Sequence, residues 1–349
     1  MTTLTEVSAP PPPSSPAGRV RRAETLLRAR ELGIGLAIVV VFALTTLKNH
    51  NFAERASLQQ LLTGAALIAL LAVGETLVIV TRNVDLSVGS VLGLSAYLVG
   101  DFFVSHPHAP VILGFALGIL VGTFFGVVNG LITTVARVPS LVVTLAALYI
   151  IRGIDAVVVD GKQIDPTSIP SSFQAVGYRS VLGIPWLVII VVAIVLVVGF
   201  AMRSFRSSRD LYAIGSNPEA AALAGVRTGR RVFAAFAISG ALAGLGGALF
   251  LSEFATVNST AGSGYELLVV AAVVVGGVAI NGGSGTVLGA ALGALLLNTI
   301  SQALVASKVS SFWNQAIAGA LLLGAIVFDR WLGKRVARLE STRGERHVL

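Results

Sequence analysis

"GETLVIVTRNVDLSVGS" (residues 74–90) joins the end of one apolar run to the start of the next. Its first half suits lipid and its last residues suit a helix start, and Arg82, Asn83 and Asp85 stand between them. A charge at the centre of a bilayer costs about 2.5–3.5 kcal/mol on insertion scales. Whether these residues lie in lipid or at its edge decides how the chain is threaded.

Composition narrows the choice. The 349 residues are 55% hydrophobic and 12% charged, with a mean hydropathy of +0.86. Soluble domains carry about 25% charged residues, so most of this chain belongs in lipid. A helical span needs about 20 apolar residues, which leaves room for about ten spans with short connections. Cysteine is absent, which excludes a disulfide framework and thiol-based zinc or redox chemistry. The four histidines (His50, His106, His108, His347) lie near termini or loop ends and form no metal pattern, so no metal site is expected. The net charge of +8 falls between apolar runs rather than along one face. It therefore reads as a topology signal, not as nucleic-acid binding.

The apolar runs predict spans over 32–48, 58–80, 86–104, 110–135, 138–152, 182–202, 230–252, 265–281, 286–306 and 312–331. Residues 1–30, Pro/Ser-rich and then basic, read as a disordered cytoplasmic tail before an uncleaved first span. Residues 31–333 form the membrane domain, and 334–349 a basic cytoplasmic tail. Arg82, Arg137 and the Arg203–Arg227 cluster alternate with basic-poor segments such as "SHPHAP", so both termini are expected in the cytoplasm. On this threading Arg82, Asn83 and Asp85 occupy a cytoplasmic turn rather than mid-membrane. Asp85 and Ser87 then suit the positive end of the next helix, as a plain cap or as a functional contact.

Small-residue runs such as "GILVGTFFGVVNG", "SGALAGLGGALF" and "VLGAALGALLL" let helices pack closely in lipid. "VGSVLG" (88–93) is faintly echoed by "SGTVLG" (284–289), each at the start of a span. The loop 203–231 is the informative polar segment. Asn217 reads as an N-cap, Pro218 as the first helical residue, Glu219 as a first-turn acid and Gly225 as the stop, giving a helix of roughly two turns. With the lead-in Asp210, Leu211, Tyr212, Ala213, Ile214 and Gly215, and with Ala221, it reads as a surface for a cytosolic partner or as a plain connector.

No phosphate-binding loop is present, since no Lys follows "GGSGTVLG". Intramembrane acids are few: Glu75 and, further along, Glu266. Each reads as a paired structural carboxylate or as a wall of a pathway. "GSGYELLVVAAVVVGGVAINGGSG" (262–285) is short and glycine-bounded, a pattern of interrupted segments beside a translocation path. Asn129, Thr144, Asn298 and Gln302, with Asn83, Asp85 and Ser87, are polar groups that either join helices or meet a neutral solute. No nucleophile–base or metal-ligand spacing supports an enzyme.

"GETLVIVTRNVDLSVGS", "GVVNGLITTVARVPSLVVTLAALYIIRGI" (126–154), "DLYAIGSNPEAAALAGV" (210–226), "SGALAGLGGALF" (239–250) and "GYELLVVAAVVVGGVAINGGSGTVLGA" (264–290) together resemble, over roughly residues 35–330, the membrane permeases of ribose/xylose/rhamnose-type ABC importers. Many members read G-G-I-D-L-S-V-G-S, and here Arg82 and Asn83 replace the two glycines. "TRNVDLSVGS" and "WNQAIAGALLLGAIVFD" (313–329) look more like the autoinducer-2 or rhamnose branch.

The resemblance implies an all-α, polytopic permease of the type II ABC importer class in a bacterial inner membrane. It implies a second permease copy or sister chain, an extracytoplasmic solute-binding protein, and a cytoplasmic ATP-binding subunit that carries the ATP and Mg. It implies that 210–225 is the coupling helix, with Asp210, Tyr212, Ala213, Gly215, Asn217, Pro218 and Ala221 matching the family's loop motif. A charged residue at Gly215 or Tyr212 is then expected to uncouple hydrolysis from uptake without affecting insertion. The alternative is a self-contained secondary transporter or channel, which the scarcity of membrane acids disfavours.

Overall fold

The computed structural model describes residues 16–310, 313, 315–324 and 327. In chain order the helices are α1 (Pro16–Lys48), α2 (Arg55–Ile79), α3 (Val88–Ser105), α4 (Val111–Thr134), α5 (Ser140–Val159) and α6 (Ser171–Tyr178). A two-stranded antiparallel hairpin, β1 (Ser180–Val181) and β2 (Ile184–Pro185), leads into α7 (Trp186–Ser204). Then follow α8 (Arg206–Ser216), α9 (Pro218–Leu223), α10 (Thr228–Phe254), α11 (Tyr265–Val275), α12 (Val287–Ala306) and α13 (Gln315–Gly324). Among the described residues, eight helices are long and apolar enough to cross a membrane: α1 to α5, α7, α10 and α12. The shorter apolar helices α11 and α13 complete ten apolar segments, in line with the all-α polytopic reading.

Helix α2 forms the centre of the bundle, and its residues from Ala65 to Ile79 are buried on every side. Helices α10, α11, α12 and α7 pack around it. The outer faces of α1, α4, α5 and α7 expose Leu36, Phe124, Tyr149 and Leu196, the apolar exterior a lipid solvent allows. A glycine seam joins α4 to α10. A Cβ on Gly122 would overlap the Gly240 carbonyl, and one on Gly244 would overlap the Gly118 carbonyl. Close backbone approach of this kind replaces the hydrophobic drive that lipid cannot supply.

Several elements depart from the expectations. Helix α1 starts at Pro16, inside the stretch read as a tail. Helix α5 runs to Val159, seven residues past the expected end; Arg152 bonds to the Ala261 carbonyl inside the bundle and lies 3.9 Å from Asp155 on its own helix. Helix α11 stops at Val275, and 276–286 is irregular, with left-handed glycines at 277, 282, 283 and 285. The 203–231 loop holds two helices, since the lead-in residues are themselves helical in α8. The C-terminal tail 334–349 lies outside the described residues, as do positions 312, 314, 325, 326 and 328–331 of the tenth expected span.

Candidate functional site

Two interrupted segments and one polar helix pair meet at one end of the bundle. The first interruption lies between α2 and α3. Arg82 N–H donates to the Ile79 carbonyl (2.9 Å) and Asn83 N–H to the Val78 carbonyl (3.3 Å), with Arg82 at φ +66°. This is the six-residue helix stop in which glycine usually holds the left-handed position. The chain then turns back along α2, and Asp85 N–H donates to Glu75 Oε1 at 3.1 Å. Glu75 precedes the end of α2 by one turn, so the segment re-enters the bundle by about 6 Å.

Asp85 therefore departs from the expected surface turn: it is 1% exposed. Its Oδ1 accepts from the Ser87 amide (3.0 Å) and the Ser87 hydroxyl (2.6 Å), so the expected carboxylate at a helix start is present, but inside the protein. Asn129 on α4 donates to Ser87 Oγ at 2.9 Å. On the other side, Val84 N–H donates to Ser140 Oγ (3.2 Å), and Thr144 Oγ1 donates to the Val84 carbonyl (3.2 Å). Burying these groups is tolerable because Glu75 Oε1, Asp85 Oδ1, Ser87 Oγ and Ser140 Oγ each accept from a donor. Glu75 Oε2 is the exception, buried without a hydrogen-bond partner.

The second interruption, between α11 and α12, repeats the device. Gly277 N–H donates to the Val274 carbonyl (3.0 Å) and Val278 N–H to the Val273 carbonyl (3.1 Å), with Gly277 at φ +101°. Thr286 then caps α12 by accepting from Gly289 N–H at 2.9 Å. The faint echo of 88–93 by 284–289 falls near the starts of α3 and α12, three residues out of step because α12 begins only at Val287, and each helix follows one closed by the same stop. The two breaks touch, since Gly283 N–H donates to the Val80 carbonyl at 2.9 Å.

The pair α8–α9 packs beneath both. Leu211, Ile214, Gly215 and Ala221 face inward, whereas Ala213, Asn217, Pro218 and Glu219 face out. Asn217 Oδ1 accepts from Ala220 N–H (3.0 Å), and Gly225 ends α9 at φ +81°, as expected from the sequence. Asp210 pairs with Arg231 at 2.8 Å and so ties α8 to α10. Tyr212 donates to the Gly285 carbonyl at 3.0 Å. Burial raises its phenol above the ordinary range, which keeps it a donor. Arg82 Nε donates to the Gly215 carbonyl, and Arg82 Nη2 donates to the Ser216 carbonyl at 2.7 Å. Leu223 is 91% exposed on α9. Sequence reasoning passed over it, although an apolar residue just before a helix stop was the available signal.

The remaining polar residues separate into distinct places. Asn298 donates to the Leu61 carbonyl at 2.8 Å, joining α12 to α2, and Gln302 lies half-buried one turn further along α12. Asn83 donates locally to Thr81 Oγ1 and its carbonyl, both at 3.0 Å. Glu266 opens α11, its Oε1 accepting from Gly264 N–H at 3.2 Å. It shares a cavity of about 370 Å³ with Ser263, Tyr265, Ser301 and Gln315. Behind it, Arg152 donates to the Ala261 carbonyl (2.6 Å) and lies 3.9 Å from the fully buried Asp155. Arg152 and Asp155 were missed because charge ended the predicted span early, and Ser140 because its partner, the Val84 amide, is distant in sequence.

No solved structure matches the chain. Similar proteins include the "Autoinducer 2 import system permease protein LsrC" of Enterobacter sp. (strain 638), 38% identical over 315 residues that cover 90% of this chain and 91% of that protein. The protein of the same description from Klebsiella pneumoniae subsp. pneumoniae is 36% identical over 317 residues, 90% of each chain. That from Photorhabdus luminescens is 33% identical over 317 residues, covering 90% and 94%. Residues 57–326, which hold both interruptions and the α8–α9 pair, match a single family. The chain belongs to that family of transport permeases, described as "Branched-chain amino acid transport system / permease component".

Proposed function

We propose that the chain is the membrane-spanning subunit of an ATP-driven importer for autoinducer-2 or a closely related sugar-like solute. On this reading the α8–α9 face and both termini lie in the cytoplasm. An ATP-binding subunit docks there, a second permease completes the conduit, and an extracytoplasmic binding protein delivers the solute. The observation that carries the reading is the two-sided character of α8–α9. One side bonds to both helix interruptions through Arg82, Gly215 and Tyr212, and the other presents Leu223 and the α9 cap with no covering element among the described residues. A fully exposed apolar residue beside a glycine stop, on a helix too short to stand alone, fits a surface completed by another protein. The printed names of the relatives support the solute class.

One observation favours the alternative of an ion-driven carrier. Asp85 and Asp155 lie buried beside Glu75 and Glu266, so the bundle holds more acids than the sequence reading counted. Proteoliposomes separate the two. The expected result is ATP-dependent uptake of labelled autoinducer-2 only when an ATP-binding subunit and a binding protein are present. Unlabelled ribose, rhamnose and leucine serve as competitors to define the solute. Uptake by this chain alone under a proton or sodium gradient would overturn the proposal.

A further inference from the structure

We propose that Arg82 is a positioning residue that locks the α8–α9 pair to both helix interruptions, so that movement of the pair reaches the buried Asp85 segment. The inference rests on the reading of α8–α9 as a docking face for an ATP-binding subunit.

Three observations carry it. First, Arg82 occupies the left-handed position of a helix stop, at φ +66°, where glycine is unstrained and arginine is not. Such strain persists where the surroundings hold it in place. Second, the side chain caps a helix 133 residues away. Nε and Nη2 donate to the Gly215 and Ser216 carbonyls, which belong to the last turn of α8 and lack partners within that helix. A guanidinium fork at a helix C-terminus is favoured both by geometry and by the helix dipole. Third, the surroundings leave no slack. A Cβ at Gly215 would overlap the Val80 carbonyl and Gly283 N, and one at Gly282 would press on Arg82 Cγ at 2.6 Å. The Val80 carbonyl is itself bonded to Gly283. Arg82, the end of α8 and the 276–286 loop are therefore one interlocked piece, and three residues beyond Arg82 stands Asp85. A displacement of α8 is passed through Arg82 to the re-entrant segment rather than absorbed by a loop.

Arg82→Gly is the informative variant, because it removes the fork while relieving the backbone. The full importer, with ATP-binding subunit and solute-binding protein, is reconstituted, and solute uptake and ATP hydrolysis are measured together. Arg82→Gly is expected to retain the ATP-binding subunit and its hydrolysis while uptake per ATP falls by roughly tenfold, the weight of one charge-assisted hydrogen bond. Arg82→Lys, with one point donor in place of a fork, should fall between the two. An unchanged uptake-to-hydrolysis ratio in Arg82→Gly would overturn the proposal, and so would uptake and hydrolysis falling in parallel with thermal stability, which is what a purely structural role produces. A separate reading uses the isolated chain: Arg82→Gly should speed amide exchange across 80–87 and 276–286 but not in α4 or α10. Unchanged exchange sinks the lock, whereas failure of the wild-type chain to retain any ATP-binding subunit sinks the docking reading.

Discussion

Glycine at position 215 is decided by contact, not by backbone conformation. A Cβ there meets the Val80 carbonyl on one side and Gly283 on the other, both backbone groups that cannot swing away. Gly215→Ala is expected to destabilise the protein by about 1–3 kcal/mol, as overpacking of a filled interior does. Thermal unfolding in detergent gives the value. The expectation that a charge at Gly215 or Tyr212 would only uncouple transport therefore needs revision. Both residues face the bundle, and Tyr212 holds the Gly285 carbonyl, so charges there disturb packing as well. Asn129→Leu is a second case at this scale. It removes the donor to Ser87 Oγ and, through Ser87, loosens Asp85. A cost of about 1–3 kcal/mol follows from leaving a buried acceptor short of a donor. A melting temperature equal to that of the unchanged protein would show that the Ser87 hydroxyl finds another partner.

For whole elements, the sequence is most legible where one physical signal acts alone. Long apolar runs marked α2, α4, α7 and α10 to within a few residues, because burial in lipid needs little else. The cap and stop of α9 were equally plain, since Asn217, Pro218 and Gly225 act through local geometry. Legibility fails where partners are distant in sequence. Nothing near Asp85 announces that Glu75, Ser140 and Asn129 will gather around its segment, so a buried re-entrant segment reads as a surface turn. Arg152 and Asp155 ended the α5 prediction for the same reason, the Ala261 carbonyl lying 109 residues away. Helix α9 lends itself to a separable test. Asn217→Ala removes its only side-chain cap and should cost about 1 kcal/mol of local helix stability. Leu223→Asp, fully outside the core, should leave stability within about 0.5 kcal/mol. It is nonetheless expected to abolish co-purification of an ATP-binding subunit. Retention of that subunit by Leu223→Asp would move the docking surface off α9.

Across the whole molecule, ATP-driven transport requires that the α8–α9 end of the bundle faces the cytoplasm. Helix α7 is a membrane-spanning candidate bounded by two surface features, the β1–β2 hairpin before it and α8–α9 after it. One crossing separates them, so they must lie on opposite sides. Leu182 at the hairpin tip is 100% exposed and Leu223 on α9 is 91% exposed, so neither substitution disturbs the interior. The chain contains no cysteine, and each position can therefore carry the sole thiol of its variant. In intact spheroplasts a membrane-impermeant maleimide should label Leu182→Cys and spare Leu223→Cys, and permeabilisation should expose the second. Labelling of both from one side would show that α7 does not cross. The reversed pattern would place α8–α9 outside, away from any source of ATP. The Arg82 lock would then face the wrong compartment to be driven by hydrolysis.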